Sequence, residues 1–180
     1  MEKNPVDSYI ISDSYEIADN SVMPDNYVMP DNYIIRKMSS NDIGRVYEIE
    51  VQSFFDAWSK ENIENEFNSN KNIESYVLEV DRKIQGFYFG WHLVGESSLN
   101  NIAVAKDIRG RGYGEILLKH FLERTEKHNS EEIFLEVGEH NIQAKTLYEK
   151  FGFKTVARRE NYYQKTGEDA FLMKKNGKEH

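Results

Sequence analysis

Residues 107–115 read Asp-Ile-Arg-Gly-Arg-Gly-Tyr-Gly-Glu: Gly110, Gly112 and Gly114 alternate with Arg111 and Tyr113, and Arg109 stands just before them. Glycine loses more backbone entropy on folding than any other residue, so three in five positions need a reason. The stretch joins an apolar run, Ile102-Ala103-Val104, to a helix-like segment, ILLKHFLERTEKH. At a strand-to-helix junction, backbone N–H groups can gather around an anion, and Arg109 and Arg111 add positive charge. Three readings stay open: a turn with glycines at positive φ, a flexible linker, or an anion cradle. A nucleotide P-loop is disfavoured because no Gly-Lys-Ser or Gly-Lys-Thr follows. A dinucleotide fingerprint fits poorly, since the strand is not the first of a βαβ pair with an acidic residue suitably placed.

Further along, Glu136 lies between Leu135 and Val137 in a strand-like run. Side chains alternate there, so Glu136 faces away from both. It is either the solvated face of an edge strand or a carboxylate offered to a site. Tyr148 shares one side of a helix with Leu147 and Phe151; its ring can pack while its hydroxyl reaches a polar partner. Asn141 opens that helix, as an N-cap or as a ligand contact. Lys150 near its end is a solvated lysine or a phosphate partner. Phe54, Phe55 and Trp58 make one aromatic loop, and Tyr162 and Tyr163 a second cluster; each fits core, lid or binding surface. The five histidines, His92, His120, His128, His140 and His180, show no ligand spacing, and there is no cysteine. Disulfides, thiolate metal sites and cysteine nucleophiles are excluded, and no metal is expected.

These residues need a frame. YIIRKM (33–38) reads as a strand, and Ser39 with Asp42 as a capping box opening a helix through Ile43, Val46, Ile49 and Val51. Residues 53–59 are the aromatic loop, and 62–67 a short second helix. IESYVLEV (73–80) and KIQGFYFGWHLV (83–94) read as strands joined by a tight turn at Asp81-Arg82. A third strand, 98–104, runs into the glycine stretch. Leu117, Leu118, Phe121 and Leu122 mark one face of the next helix. Residues 132–137 form a strand, 141–151 a helix closed by Gly152, and the last two segments are strands. The pattern predicts a mixed α/β domain, antiparallel early and with parallel crossovers later.

The chain of 180 residues, 39% apolar and 13% aromatic, suffices for one domain with a core. No run approaches the ~20 apolar residues of a membrane span, and the N-terminus lacks a secretory pattern, so a cytoplasmic protein is expected. The net charge of −8 is uneven: residues 1–32 hold seven acidic side chains and one lysine. The remainder is nearly neutral and has no basic patch for nucleic acid. That extension carries a tandem repeat, VMPDNY-VMPDNY, from Val22 to Tyr33, too short for a solenoid. Its composition resembles that of disordered segments, while Ile10, Ile11, Tyr27 and Met29 offer apolar groups for docking on the body or a neighbour. Residues 1–32 are thus an extension, and 33–180 the domain.

The pattern R-x-x-G-x-G, met by Arg109 through Gly114 after a strand ending Ile-Ala-Val, resembles the acetyl-CoA signature of GNAT-type N-acetyltransferases. The likeness continues through Leu135-Glu136-Val137, Asn141, Ala144, Leu147-Tyr148-Glu149-Lys150 and Phe151-Gly152-Phe153. It reaches Asn161-Tyr162-Tyr163 and Gly167 to Met173, which resemble the closing segment of the RimI-like and archaeal Nα-acetyltransferase branch. Ala57-Trp58-Ser59 stands where many members carry Pro-Trp-Ser, and Gly138 where many carry Arg. The resemblance covers about residues 33–175. It implies an α/β (α+β) GNAT fold, with a mixed, twisted central sheet flanked by helices and splayed central strands holding acetyl-CoA. It implies acetyl transfer to a free protein N-terminal α-amine, with Glu136 as base through a water and Tyr148 as acid toward the thiolate. Backbone N–H groups of Ile102, Ala103 and Val104 would hold the pantetheine and the oxyanion. Arg109, Gly110, Arg111, Gly112, Tyr113, Gly114 and Glu115 would cradle the pyrophosphate, Glu115 through its backbone alone. Asn141 and Lys150 would also contact the cosubstrate, and Phe55, Trp58 and Tyr162 the acceptor. The targets implied are one ribosomal protein or many chains, with or without an auxiliary subunit, and the oligomeric state is left open. A lysine or small-amine acetyltransferase, and a non-catalytic acetyl-CoA-binding partner, are the rival readings on the same scaffold.

Overall fold

The computed structural model describes residues 32–69, 72–163 and 165–177. The first 31 residues, with the acidic extension and most of the repeat, lie outside the described residues. The elements in chain order are β1 (Tyr33–Lys37), α1 (Ile43–Ser53), α2 (Lys60–Ser69), β2 (Ile73–Val80), β3 (Lys83–Leu93), β4 (Glu96–Val104), α3 (Tyr113–Lys127), β5 (Glu132–Gly138), α4 (Ile142–Lys150), β6 (Lys154–Tyr163) and β7 (Glu168–Asn176). The strands form one sheet in the order β1-β2-β3-β4-β5-β7-β6. Neighbours pair antiparallel except β4 and β5, which are parallel and joined by α3. The sequence pattern predicts parallel crossovers in the later part of the chain. The described residues hold one parallel pair, because β7 inserts between β5 and β6 and pairs antiparallel with both.

Local chemistry explains most boundaries. Asp81 and Arg82 both adopt positive φ, 51° and 63°, the backbone that a two-residue hairpin turn needs. The backbone N–H of Ser39 donates to Asp42 Oδ2 at 2.7 Å, as the capping pattern predicts, but the residues it opens form a 3₁₀ turn, Ser40–Asp42, before α1 begins. Asp42 is drawn off by Arg36 of β1, which donates to both its oxygens at 2.7 and 2.9 Å. Gly152, at φ 85°, closes α4 by donating its N–H to Glu149 O.

The core lies on both faces of β3, which is why Gly86-Phe87-Tyr88-Phe89-Gly90 reads as a run rather than an alternation. Phe87, Tyr88 and Phe89 are all fully buried. On one face Phe89 meets Trp58 from the α1–α2 loop, and Arg45 of α1 donates to Ile84 O. On the other lies α3: Tyr88 meets Phe121 edge to face and its hydroxyl bonds His120 Nδ1 at 2.8 Å. The two glycines flanking this run set how closely α3 approaches. A Cβ on Gly86 would sit 3.0 Å from Leu117, and one on Gly90 2.9 Å from Phe121.

Candidate active site

The glycine stretch leads directly into α3. Gly110 and Gly112 take φ of 77° and 80°, the left-handed region that residues with a Cβ avoid, and Gly112 is the N-cap of α3. The first-turn N–H groups of Tyr113, Gly114 and Glu115 have no intrahelical acceptors, and the helix dipole adds partial positive charge there. A Cβ on Gly110 would meet nothing within 4 Å, so this corner has open space in front of it. The linker reading therefore falls, and an anion cradle fits the geometry. Its members differ in how they face it. Arg111 is exposed. The Tyr113 ring is buried in the core, leaving its backbone for the cradle. The Arg109 guanidinium turns back, donating to Val104 O at 2.9 Å and Ser53 Oγ at 2.7 Å, so it braces β4 against α1. Lys150 pairs with Glu115 Oε2 at 2.9 Å, tying α4 to the first turn of α3.

Beside the cradle, the central strands part. The β4–β5 ladder runs from Glu96–Glu132 to Leu99–Leu135 and stops there, although β4 continues to Val104 and β5 to Gly138. The register of β3 against β4 slips at Phe89/Gly90, so Asn100 is the extra residue of a bulge. Beyond it, Asn101 to Val104 stay paired with β3 and diverge from β5. The backbone edge of Ile102, Ala103 and Val104 is thereby opened to an extended amide-bearing chain.

Two grooves meet at this opening. One, about 570 Å³, is lined by Ile102, Arg109, Glu136, Asn141, Tyr148 and the aromatic loop. The other, about 680 Å³, is lined by Trp58, Ile73, Trp91, Phe134, Arg159 and Tyr162. Glu136, Trp58 and Tyr162 line both. Leu135 and Val137 are buried, so β5 turns Glu136 to the groove side, as its alternation predicts. Arg159 Nη1 lies 2.5 Å from Glu136 Oε1 and fixes where the carboxylate points. The Tyr162 hydroxyl is pushed up to about 12, by burial and then by its hydrogen bond to Glu136. Tyr148 is buried, and burial holds its phenol well above the ordinary value, so it stays protonated. Asn141 is the N-cap of α4, its Oδ1 accepting from Ala144 N at 3.2 Å; it also lines the groove.

The fold adds a residue that the sequence reading passes over. Glu50 of α1 is 1% exposed. It accepts from Trp58 N at 2.8 Å and from Asn101 Nδ2 at 3.1 Å, so one carboxylate fixes both the aromatic loop and the strand just past the bulge. Burial raises its pKa, and the two hydrogen bonds oppose that. In sequence it is one of the two glutamates of α1, with no signal to single it out. Gly138 also gains a reason. A Cβ there would lie 2.8 Å from Glu168 Oε1, and that carboxylate accepts from His140 N at 2.8 Å. The 570 Å³ groove thus carries Glu50, Asp56, Glu136 and Glu168, with Phe55, Trp58, Tyr162 and Tyr163 among them. Phe55 is 77% exposed, while Trp58 packs on Phe89.

Comparison with known proteins gives the same picture. The model of the Acetyltransferase (GNAT) family matches residues 43–153. The chain is 34% identical over 143 residues to the [Ribosomal protein bS18]-alanine N-acetyltransferase of Haemophilus influenzae, covering 78% of this chain and 96% of that protein. The crystal structure of the ribosomal-protein-S18-alanine N-acetyltransferase from Escherichia coli superposes with a TM-score of 0.77 at 28% identity, over 83% of this chain and 96% of that one. Ard1 from Thermoplasma volcanium gives 0.75 at 28% identity, over 82% and 99%.

Proposed function

The chain belongs to the GNAT acetyltransferase family and is an acetyl-CoA-dependent acyltransferase; from that premise we propose that it acetylates the free α-amine of a protein N-terminus, a ribosomal protein of the bS18 kind being the acceptor the relatives suggest. The observation that carries the reading is the placement of Glu136 and Tyr148 in one groove, at the point where β4 and β5 separate. Acetyl-CoA, when bound, supplies the acyl group and the thiol leaving group. The residues fit it: the α3 N-terminus and Gly110 leave an open anion corner, and the unpaired edge of Ile102–Val104 suits pantetheine amides.

The acceptor arrives largely protonated, since an α-amine has a pKa of about 8. The lining carries four carboxylates, Glu50, Asp56, Glu136 and Glu168, against Arg109, with Arg159 and Lys165 pairing two of them, and this acidic excess favours that cation. Glu136, held by Arg159, takes the proton through a water, which leaves a nucleophilic amine near the carbonyl. A backbone N–H of the Ile102–Val104 edge can steady the charge that develops on the carbonyl oxygen. Tyr148, kept neutral by burial, holds a proton for the departing sulfur. Phe55, Trp58 and Tyr162 flank the entry of the peptide, with Glu50 fixing the loop that carries the first two.

Two peptides decide the reading, one with a free α-amine and no lysine, the other N-terminally blocked with a free lysine. Acetylation of the first alone is expected. Acetylation of only the blocked peptide would overturn the α-amine assignment in favour of lysine.

A further inference from the structure

The histidines show no ligand spacing in the sequence, yet the fold brings two of them together far from the groove. His92 of β3 and His128, the C-cap of α3, stack with ring centroids 4.1 Å apart and planes 7° from parallel. Glu74 of β2 joins them. Its Oε2 lies 3.6 Å from His92 Nε2 and its Oε1 3.4 Å from His128 Nε2. One donor atom from each residue lies within 4.8 Å of the others.

A second, independent observation points to a ligand. The His92 side chain is 1% exposed, and among the described residues its Nε2 is the buried side-chain nitrogen or oxygen that lacks a hydrogen-bond partner. Such an atom costs about 1–3 kcal/mol if nothing meets it. The other ring nitrogen is engaged: Nδ1 lies 2.8 Å from Ser97 Oγ, which lies 2.5 Å from Ser130 Oγ. With the proton on Nδ1 and donated to Ser97, Nε2 presents a lone pair to the space shared with Glu74 and His128. The other tautomer would aim an N–H at Glu74 across 3.6 Å, too long for a hydrogen bond. One nitrogen fixed by a hydrogen bond while the other faces a cluster of donors is how metal-binding histidines are held. The C-terminus of α3 adds the negative end of its dipole.

We infer that Glu74, His92 and His128 form a binding site for one divalent transition-metal ion of the zinc class, with water completing its coordination. Ligands about 2.0–2.2 Å from a tetrahedral ion lie about 3.4 Å from one another; each histidine Nε2 is already near that distance from one oxygen of Glu74, and one donor atom from each residue lies within 4.8 Å of the others. The triangle closes when the His128 ring, whose side chain is 38% exposed, tilts out of the stack so that its Nε2 points at the ion. Arg124 already holds Glu74, donating at 2.7 Å to Oε2 and 2.6 Å to Oε1. Each carboxylate oxygen keeps a second lone pair, so Glu74 serves both. The guanidinium charge makes the site weaker than a closed four-ligand centre. Fifteen residues of α3, about 22 Å at 1.5 Å per residue, separate this end from the glycine cradle, so the ion would fasten β2 and β3 to α3 and take no part in acetyl transfer.

The test uses the full chain, stripped with chelator and titrated with Zn²⁺ and Co²⁺. One equivalent is expected to bind, with visible d–d bands for Co²⁺ and a rise in Tm of about 5 °C at a hundredfold excess over Kd. His128→Ala, at a half-exposed position that leaves the apo Tm nearly unchanged, should abolish both the bands and the rise. His140→Ala, beside the groove, should keep them. Absence of saturable binding to the wild type, survival of binding in His128→Ala, or its loss in His140→Ala would each overturn the site.

Discussion

The protonation roles proposed for Glu136 and Tyr148 differ because β5 and α4 give them different surroundings: one faces an open groove against Arg159, the other is buried. Glu136→Gln should lower kcat about 100-fold at pH 7. The defect should shrink toward pH 9, because an α-amine with a pKa of about 8 then arrives largely deprotonated. A pH–rate profile of the variant against free-amine peptide checks this; a deficit independent of pH would remove Glu136 as base. Tyr148→Phe should lower kcat while the KM for acetyl-CoA stays within about twofold, since the hydroxyl acts late and the ring still packs. Normal turnover in the double variant would end the mechanism altogether. That Glu136 turns to the groove and that Tyr148 packs was legible from strand alternation and helix face, while their roles are what the family resemblance implies. Glu50 was not legible, because its importance comes from two partners, Trp58 N and Asn101 Nδ2, that only the fold brings to it.

Elements position these groups, and the acetyl-CoA phosphate site proposed at the glycine corner rests on backbone conformation alone. At Gly112, φ is 80°. An alanine there is strained by about 1–2 kcal/mol, and relaxation would turn the first N–H groups of α3 away from the proposed phosphate site. Gly112→Ala should therefore raise the Kd for acetyl-CoA by about tenfold or more. Gly95, with φ of 77° in the β3–β4 turn, supplies the control: Gly95→Ala bears the same strain and should leave Kd unchanged. Calorimetric titration of both variants reads the difference, and equal affinities would return the stretch to an ordinary turn. The strand-to-helix junction could be read from sequence because apolar runs flank it. The bulge at Asn100 could not, since one extra residue in Ser-Leu-Asn-Asn-Ile-Ala-Val leaves the run looking like any strand. For the same reason the insertion of β7 between β5 and β6 was hidden: pairing partners are set by long-range packing, which local periodicity does not encode.

The whole molecule carries its core on both sides of β3, and that architecture sets its response to acid. His120 lies between α3 and the sheet, its Nδ1 bonded to Tyr88. Burial first, and the nearby Arg124 charge second, push it down to about 4. Its unfolded pKa is about 6.5, so the folded chain binds fewer protons than the unfolded chain between those values. The stability this contributes is complete above pH 6.5 and is lost as pH falls through 4, on the order of 2 kcal/mol. Urea unfolding at pH 7 and pH 4.5 should show the loss, and His120→Gln should flatten the slope whatever it does to stability at pH 7.

Every candidate site residue lies among the described residues, and these close a core of their own. The extension before them carries seven acidic side chains and one lysine. The groove that would receive a substrate amine is itself lined by Glu50, Asp56, Glu136 and Glu168. Arg109 also lines it, and Glu136 and Asp56 pair with Arg159 and Lys165, but its carboxylates outnumber these cations, and like charges repel, so an acidic segment is a poor cover for this groove. A chain beginning at Asn32 should therefore unfold cooperatively with an unchanged m-value, keep kcat, and keep the peptide KM within about twofold at low salt, where any electrostatic competition would be strongest. A severalfold fall in peptide KM on truncation would show that the extension competes for the groove despite its charge. Loss of the cooperative transition would show that it completes the core.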